Sequence, residues 1–354
     1  MKGLRNLVNK ILEYSELVSP FNQAKILFHK EKFTELDKNH IVSPVCCELD
    51  LTDGFCNNKC THCFFGTNNK EDPILMDIET AKRIISELAN IGVKAVEFSG
   101  GGEPTTHPNI VEIIKYSKDM GLDVGIVTNG LLLDKIISVV DCLTFIRVSL
   151  DAASKETYKK IHGVDTFEKV IQNIRNIVKV NSGIKIGIGY LIVENNINDI
   201  LDAVLLSKEI GCRFIQYRPA SLEYSISNDV WEKASIFVSE AKRYSSENFQ
   251  VFDAGVKWKH LNGSRNYEKC TTSSLVAVIK ANGDVPLCVL KRNDPNAIIG
   301  NISNKSFSEV YFSDKHRKMI DNIDINKCRK PCKHDAYNIV HEAQKDDLYH
   351  CNFI

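Results

Sequence analysis

The stretch Cys56-Asn57-Asn58-Lys59-Cys60-Thr61-His62-Cys63 places three cysteines at C-x3-C-x2-C spacing, directly after an apolar run at residues 45–51. Cysteine thiolates hold the irons of iron–sulfur clusters. A cubane cluster has four irons, so three cysteines leave one iron with an open position, comparable to the open position of a catalytic zinc. The spacing therefore predicts a [4Fe–4S] cluster that can bind and activate a small molecule.

Two other interpretations of these cysteines are weaker. Zinc sites use four ligands, and the nearby histidine, His62, is adjacent to Cys63, whereas neighbours in sequence rarely converge on one small ion. Disulfide frameworks belong to much shorter secreted domains. This chain has 354 residues and no recognisable signal peptide, so a disulfide framework is not expected.

The composition favours a globular enzyme. Hydrophobic residues make up 43% and charged residues 25% of the chain, as in typical globular domains. Basic and acidic residues balance at 45 each and form no basic block, which argues against nucleic-acid binding. No apolar run approaches the roughly 20 residues of a membrane helix. The 12 cysteines without an export signal predict a reducing, cytoplasmic location and metal ligation.

Short β-type runs alternate with amphipathic helical stretches from residue 45 to about residue 220. Strands are predicted at 45–51, 95–98, 123–127, 144–150, 185–193 and 213–217. Helices are predicted at 77–91, 108–120, 131–140, 167–180 and 197–210. This alternation implies right-handed crossovers and a parallel sheet. Six strands are fewer than the eight of a closed barrel. We therefore expect an α/β fold that resembles the open (β/α)6 partial barrel of known enzymes, with its chemistry at the carboxyl ends of the strands.

The remaining segments define the expected domain organisation. Apolar residues recur at helical spacing at Leu4, Leu7, Val8, Ile11 and Leu12. They predict a helix packed on the barrel within an N-terminal helical extension, residues 1–44. Residues 45–222 are expected to form the barrel core, and residues 223–268 a polar helical connector. Residues 269–354 are expected to form a small α+β domain.

Local signals within this last domain predict a hairpin and a helix. Apolar runs at 275–280 and 285–290 flank Asn282-Gly283, a strong hairpin signal. The run at 307–320 predicts a helix with Ser306 as its N-cap. The hairpin would bring Cys270, which precedes it, close to Cys288, which ends it.

A glycine-rich motif, Ser99-Gly100-Gly101-Gly102-Glu103-Pro104, follows the second predicted strand. In combination with the cysteine run about 40 residues earlier, it makes the chain resemble the radical S-adenosylmethionine (radical SAM) superfamily. The resemblance extends to Thr128-Asn129-Gly130 after the third strand and to Ser149-Leu150-Asp151-Ala152 after the fourth.

This resemblance implies that Cys56, Cys60 and Cys63 hold a [4Fe–4S] cluster whose open iron chelates SAM. The reduced cluster then cleaves SAM to a 5′-deoxyadenosyl radical, which abstracts a hydrogen atom from the substrate. The cofactor-binding residues implied in the same way are Gly101, Gly102 and Glu103 for the methionine amino group, Thr128, Asn129, Ser149 and Asp151 for other parts of SAM or the substrate, and Gly189 for adenine and ribose.

Several of these roles have alternatives. Thr128 and Asn129 equally suit a helix-capping turn. Tyr217 and Arg218 end the sixth predicted strand and are weaker candidates for positioning the substrate, with a structural salt bridge as the alternative for Arg218.

A second group of cysteines lies near the C-terminus, at Cys270, Cys288, Cys328 and Cys332. The group resembles the auxiliary-cluster domains of radical SAM enzymes that are called twitch and SPASM. The long cysteine run of the seven-cysteine SPASM pattern is absent, so the shorter twitch domain is the better match. The resemblance implies a second, auxiliary [4Fe–4S] cluster, while tetrahedral zinc stays an open alternative.

The other cysteines have less defined roles. Cys46, Cys47 and Cys142 are expected to pack as small core residues. Cys212, at the start of the sixth strand, and Cys351 are the candidate hydrogen donors if the reaction is an epimerisation.

The expected activity is oxidation or epimerisation of a small polar substrate of the sugar or amino-sugar type, with flavodoxin or ferredoxin as the reducing partner. A small substrate is expected because the N-terminal segment is shorter than the lower limit of about 50 residues for a domain, too short for peptide recognition. One alternative is a maturase that modifies a ribosomally made peptide or a protein side chain. The non-enzyme alternative is a cysteine–zinc scaffold protein.

Overall fold

A computed structural model of the protein describes residues 23–65, 71–181, 183–220, 227–253, 265, 267–330 and 332–343. Its strands are β1 (Cys46–Leu49), β2 (Thr52–Asp53), β3 (Ile74–Leu75), β4 (Ala95–Phe98), β5 (Asp123–Thr128), β6 (Phe145–Ser149), β7 (Lys185–Ile192), β8 (Phe214–Pro219), β9 (Gln250–Asp253), β10 (Val276–Ile279), β11 (Asp284–Pro286) and β12 (Ile298–Asn301). Eight of them form one sheet in the order β10-β1-β4-β5-β6-β7-β8-β9.

Helices connect these strands. The α-helices are α1 (Glu31–Asn39), α2 (Ile78–Asn90), α3 (Ile110–Asp119), α4 (Lys155–His162), α5 (Phe167–Val180), α6 (Ile200–Glu209), α7 (Asn228–Ala241), α8 (Phe307–Tyr311), α9 (Asp314–Asp321) and α10 (Asp335–Ala343). Gln23–His29, Leu133–Cys142 and Glu194–Asp199 are longer 3-10 segments. No helix in the described part of the chain is long and apolar enough to cross a membrane.

The predicted fold class is confirmed, since all strand pairs within the large sheet are parallel. The six predicted strands form the middle of this sheet as β1 and β4–β8. Two further strands extend it, β9 beyond β8 and β10 beyond β1. Strand β9 lies in the polar connector, which was expected to be helical throughout.

The predicted hairpin around Gly283 is wrong in its pairing. The chain does turn there, with Gly283 N–H donating to Lys280 O and Lys280 N–H donating to Asp284 O, both at 2.9 Å. The two flanking strands then separate, because β10 pairs with β1 in the large sheet while β11 pairs with β12. A hydrophobic run cannot by itself specify which of two available partners it joins.

Two helical predictions need correction, and one helix was missed. The helix expected at 307–320 is two helices, because Ser313 accepts a hydrogen bond from His316 N–H and so caps the start of α9. Ser306 caps α8 as expected, in a capping box with Glu309. Residues 133–142 form a 3-10 segment in place of the expected α-helix. Helix α4 was not predicted, and the expected helix near Leu4 lies outside the described residues.

The large sheet has one apolar face and one polar face. On β6, Ile146 and Val148 are completely buried under the helices, while Arg147 and Ser149 point to the opposite, concave face. Helix α5 contributes an apolar stripe that includes the buried Ile174. Burying each such side chain stabilises the fold by about 1.5–3 kcal/mol. The core therefore lies between sheet and helices and leaves the concave face for polar groups.

The cysteines expected in the core are at least half-buried. Cys47 is completely buried, whereas Cys46 and Cys142 are half-buried.

In a separate apolar cluster, Phe33 of α1 packs with Tyr337 of α10, so the N-terminal helix contacts the C-terminal part of the chain.

Tyr217 belongs to the apolar face, which contradicts its expected place at the barrel mouth. Its hydroxyl donates to Ile200 O at 2.6 Å beneath α6, and its ring centroid lies 5.2 Å from that of Tyr190. Successive residues of a strand face opposite sides. Because Gln216 and Arg218 face the concave side, Tyr217 must face the helices.

Replacing Tyr217 by Phe should therefore destabilise the protein without affecting the concave face. Loss of the buried hydrogen bond is expected to cost about 1 kcal/mol, measured as a lower urea midpoint. Tyr190→Phe is a matched comparison, because the Tyr190 hydroxyl donates to Asn196 O at 2.7 Å and should cost a similar amount. An unchanged urea midpoint for Tyr217→Phe would contradict this structural role.

Candidate active site

Two loops lie against each other at the carboxyl end of the sheet. The cysteine loop, residues 50–63, follows β1, and the glycine loop, residues 99–103, follows β4. Gly54 N–H donates to Gly101 O at 3.2 Å, and Glu103 N–H donates to Phe55 O at 2.8 Å. These hydrogen bonds join the two loops directly through their backbones.

Glycine is required for this contact. A Cβ atom at Gly101 would overlap Thr52 O, and one at Gly102 would overlap Phe55 O. Gly101 also has φ +77°, a conformation that strains other residues. Gly101 and Gly102 were expected beside SAM. In the structure, their lack of side chains allows the backbone of the cysteine loop to lie against the glycine loop.

Glu103 is buried, with 3% of its surface exposed, and its carboxylate accepts four hydrogen bonds. Its Oε1 accepts from Thr105 N–H (3.0 Å), Thr105 Oγ1 (2.6 Å) and Thr128 Oγ1 (2.6 Å). Among the residues that the structure describes, its Oε2 accepts from Asn129 N–H alone, at 2.7 Å. Burial still raises the pKa of Glu103. One lone pair on Oε2 stays available for a further donor.

Thr128 and Asn129 serve two purposes in the structure. Each caps the turn after β5, because Thr128 Oγ1 accepts from Gly130 N–H and Asn129 Oδ1 accepts from Leu131 N–H, both at 3.0 Å. The Asn129 amide also donates to Asn57 Oδ1 (2.5 Å) and lies 3.9 Å from Cys56 Sγ. The capping turn therefore connects the glycine loop to the cysteine loop.

Cys56, Cys60 and Cys63 are all half-buried and lie close enough together to influence each other's ionisation. The pKa of Cys56 is raised to about 11, mainly by burial, with smaller contributions from the charges of Glu103 and Cys63. Burial also raises the pKa of Cys60, with smaller contributions from Asp151, Cys56 and Cys63. The surroundings of Cys56 and Cys60 thus favour their thiol forms, and a bound cation would favour their thiolates.

Two histidines and Asp151 surround Cys60, an arrangement that motif reasoning missed. His162 Nδ1 lies 3.1 Å from Cys60 Sγ, and its Nε2 lies 2.9 Å from Leu150 O. Asp151 Oδ2 lies 3.7 Å from His62 and 3.6 Å from His162. Hydrogen bonds to ligating sulfurs help to set cluster potentials. The sequence signals that could have revealed helix α4, which carries His162, were its two capping residues, Ser154 and Gly163.

The Asp151 carboxylate is thus engaged by the protein itself. Its Oδ1 accepts from Leu191 N–H at 2.6 Å, and its backbone has φ +53°, unusual for a residue with a side chain. Burial acts to raise the pKa of Asp151, but His62 and His162 outweigh burial and lower it. Asp151 is placed beside Cys60 and orients the histidines.

The other expected site residues divide between the two faces of the sheet. Ser149 and Gly189 are register partners on the concave face, and Arg218 lies on the same face. Tyr217 lies among the helices, as described above. Cys212 is buried at the amino end of β8, where burial raises its pKa, and it is remote from the cysteine loop. Cys351 lies outside the described residues.

The four C-terminal cysteines also lie close together, and all are half-buried. Burial raises the pKa of Cys288 to about 11, with smaller contributions from Cys270 and Cys328. Cys332 is influenced in the same way by Cys270 and Cys288. Two donors point at sulfur atoms. They are Asn338 Nδ2, at 3.6 Å from Cys270 Sγ, and His334 N–H, at 3.3 Å from Cys332 Sγ.

Side chains from the C-terminal region hold the segment directly after the cysteine loop. Asn293 Nδ2 donates to Phe64 O at 2.9 Å, and the Arg329 guanidinium lies 5.4 Å from the Phe64 ring centroid. Arg292 lies 5.0 Å from the ring centroid of Phe65, just after Cys63. The segment that follows the third cysteine is therefore positioned by residues near the second cysteine group.

Both cysteine groups fit iron–sulfur clusters. Each group supplies only thiols, the ligands that such clusters use. Thr52 Oγ1 and Asn58 Oδ1, both buried in the cysteine loop, have no hydrogen-bond partner within the described residues, as expected beside a site for a polar ligand. In that same part of the chain, no three His, Cys, Asp or Glu side chains converge on a single-ion site. A cubane binds each cysteine at a different iron, so its ligands need not converge on one point.

Two family models match the chain. Residues 53–206 match the radical SAM superfamily, and residues 270–334 match SPASM, an iron-sulfur cluster-binding domain. A probable GTP 3′,8-cyclase of Saccharolobus islandicus is 31% identical over 173 residues, 47% of this chain and 55% of the cyclase. The chain thus matches about half the length of this relative. The mycofactocin maturase MftC of Mycobacterium tuberculosis is 26% identical over 282 residues, 76% of this chain and 70% of MftC.

Solved structures share the fold. Streptococcus suis SuiB bound to S-adenosylmethionine has a TM-score of 0.67 at 19% identity, covering 89% of this chain and 78% of SuiB. SuiB bound to the precursor peptide SuiA has a TM-score of 0.65 at 18% identity, covering 85% and 72%. The protein anSMEcpe with bound AdoMet and Kp18Cys peptide has a TM-score of 0.59 at 19% identity, covering 78% and 83%.

The two family matches confirm the expected family and cofactors. The radical SAM match implies a [4Fe–4S] cluster and SAM, and the SPASM match implies auxiliary iron–sulfur chemistry. The chain therefore carries a radical SAM domain in residues 53–206 and a SPASM-type iron-sulfur cluster-binding domain in residues 270–334.

Proposed function

We propose that this enzyme is a maturase, which modifies a residue within a peptide or protein. The observation that carries the proposal is the extent of its likeness to MftC, which covers 76% of the chain, against 47% for the cyclase. The chain also shares its fold with SuiB and anSMEcpe, both solved with a bound peptide. These likenesses favour a peptide over the sugar-type substrate expected from the sequence.

Two sets of thiolates are proposed to hold the clusters. When bound, the cluster and SAM supply the removal of a hydrogen atom from an unactivated C–H bond. Cys56, Cys60 and Cys63 provide the thiolates for the SAM-binding cluster. The thiolates for the auxiliary cluster come from Cys270, Cys288, Cys328 and Cys332.

The loops at the carboxyl end of the sheet are proposed to bind SAM. Glu103 has a spare lone pair for an ammonium group, a charge-assisted contact, and Thr128 and Asn129 hold its carboxylate in place. Ser149 and Gly189 contribute the concave surface beside this site. The remaining contacts are assigned to Gly101, Gly102 and Asp151.

Oxidation is the reaction class that we favour over epimerisation. Epimerisation needs a hydrogen donor at the site. Of the two candidate donors, Cys212 is the one within the described residues, and it is buried at the opposite end of its strand. We further propose that a flavodoxin or ferredoxin supplies electrons to the enzyme. The proposed location is the cytoplasm.

Replacing Cys56, Cys60 and Cys63 together by Ala removes every thiolate assigned to the SAM-binding cluster. Iron content is expected to fall from about eight to about four per chain, and 5′-deoxyadenosine formation should be lost. Both are measured after anaerobic reconstitution. Cys142→Ala, at a half-buried cysteine outside both groups, is the matched control and should retain both properties. Persistent SAM cleavage in the triple variant would refute the assignment.

Glu103→Gln preserves the shape of the side chain but removes its negative charge. Because hydrogen bonds to charged groups contribute roughly 1.5–3 kcal/mol, the Kd for SAM should rise about 10- to 100-fold, measured by calorimetry on the reconstituted enzyme. Glu112→Gln is the control, at a surface glutamate whose carboxylate lies 2.6 Å from Lys82 Nζ. A lower urea midpoint with unchanged SAM affinity would mean that Glu103 is only structural.

The maturase proposal is tested with a panel of candidate peptides and amino sugars. Oxidation predicts that one peptide residue loses the mass of two hydrogen atoms as 5′-deoxyadenosine forms, followed by mass spectrometry. Deuterium uptake from heavy water into the product would instead indicate epimerisation. The triple cysteine variant is the negative control. Turnover of an amino sugar with no change in any peptide would overturn the maturase assignment.

A further inference from the structure

Two arginines converge on one glycine of the concave face. Arg147 on β6 and Arg218 on β8 flank β7, where Gly189 has no side chain. A Cβ atom at Gly189 would lie 3.3 Å from Arg147 Cδ and 3.4 Å from a terminal guanidinium nitrogen of Arg218. Gly189 is the register partner of Ser149 on one side and Gln216 on the other. Both arginine side chains therefore lie over the backbone of β7 at Gly189, where no side chain separates them from the strand.

The two guanidinium groups have few protein partners. Neither Nε atom has a hydrogen-bond partner within the described residues. Arg147 donates to Gln216 Oε1 at 3.5 Å, a long distance for a hydrogen bond. Asp151, the carboxylate that most raises the pKa of Arg218, already accepts from Leu191 and contacts the two histidines.

Positive charge on this pair is costly in the absence of an anion. Burial, and then the charge of Arg147, lower the pKa of Arg218 to about 10, so Arg218 is still protonated at neutral pH. Desolvating each ion costs several kcal/mol unless a partner compensates for it. An anion that contacts both groups would offset this cost, and the planar guanidinium fork matches the two oxygens of a carboxylate.

Aromatic rings close the concave face below the arginines. A Cβ atom at Gly187 would overlap the Phe214 ring, and one at Gly125 would overlap the Phe145 ring. The Phe252 ring centroid lies 6.1 Å from that of Phe214. In the described part of the chain, the arginines thus lie between these rings and the carboxyl end of the sheet, where the cysteine loop and glycine loop lie.

We propose that Arg147 and Arg218 form an anion subsite that binds a carboxylate of the substrate. On the proposed function, on which this identification rests, the carboxylate is an Asp or Glu side chain, or a C-terminal carboxylate, near the modified residue. SAM also carries a carboxylate, so the test has to separate the two sources. A substrate amide in place of the carboxylate would leave the guanidinium charges unmatched.

The test follows the arginine Nε–H signals of the reconstituted holoenzyme by NMR after selective arginine labelling, with sodium acetate as the probe. Arg147→Lys and Arg218→Lys keep the charge and assign the two signals by their disappearance. Arg213, which lies at the amino end of the same strand and donates to Asn248 at 3.4 Å, is the internal control. Each titration is run without SAM and with saturating SAM.

The expected result is that both signals shift saturably with one shared midpoint, with and without SAM, while the Arg213 signal stays in place. An absent response, or an equal response of Arg213, would overturn the subsite. Loss of the acetate response with SAM would assign the pair to the SAM carboxylate and overturn the substrate role. If acetate binds but no peptide is ever modified, the maturase proposal fails while the anion subsite stands.

Discussion

The backbones of the glycine loop and the cysteine loop touch, and this contact leaves no space for a side chain at Gly101 or Gly102. The rest of the site takes its position from this contact. It places Glu103 where Thr128 and Asn129 can donate to its carboxylate. It also brings the Asn129 amide to Asn57, beside Cys56. A larger residue at either glycine would separate the thiols of the cysteine loop from the Glu103 carboxylate.

The concave face contains two kinds of charge. Near β1, the charges are paired. Glu48 lies 3.0 Å from Lys333 and 3.4 Å from Arg292, and Arg292 lies 3.5 Å from Asp50. These buried pairs join the C-terminal region to the sheet. Removing one partner would leave the other charge buried without a counterion. Between β6 and β8, by contrast, two arginines face a glycine with few partners. The paired charges hold the structure together, and the under-satisfied charges are suited to binding a ligand.

Local sequence signals predicted the parallel sheet, the cap at Ser306 and both cysteine groups, because each depends on residues close together in the chain. The errors involve partners that local patterns cannot specify. Strand β10 was given the right location and the wrong partner, since β1 lies more than 200 residues away. The contact between Cys60 and His162 spans 102 residues. Tyr217 could have been placed correctly, because strand alternation puts it opposite Gln216 and Arg218.

Strand β10 has a consequence for how the chain can be divided. It comes from the region that carries the second cysteine group, yet it lies along the free side of β1 and pairs with it over four residues, from Cys46 to Leu49. A fragment that ended before residue 269 would expose the backbone donors and acceptors of β1 next to the cysteine loop. Unprotected sheet edges of this kind recruit strands from other molecules and promote aggregation. The two cluster-binding regions thus share one sheet, and we expect neither to fold as a separable module.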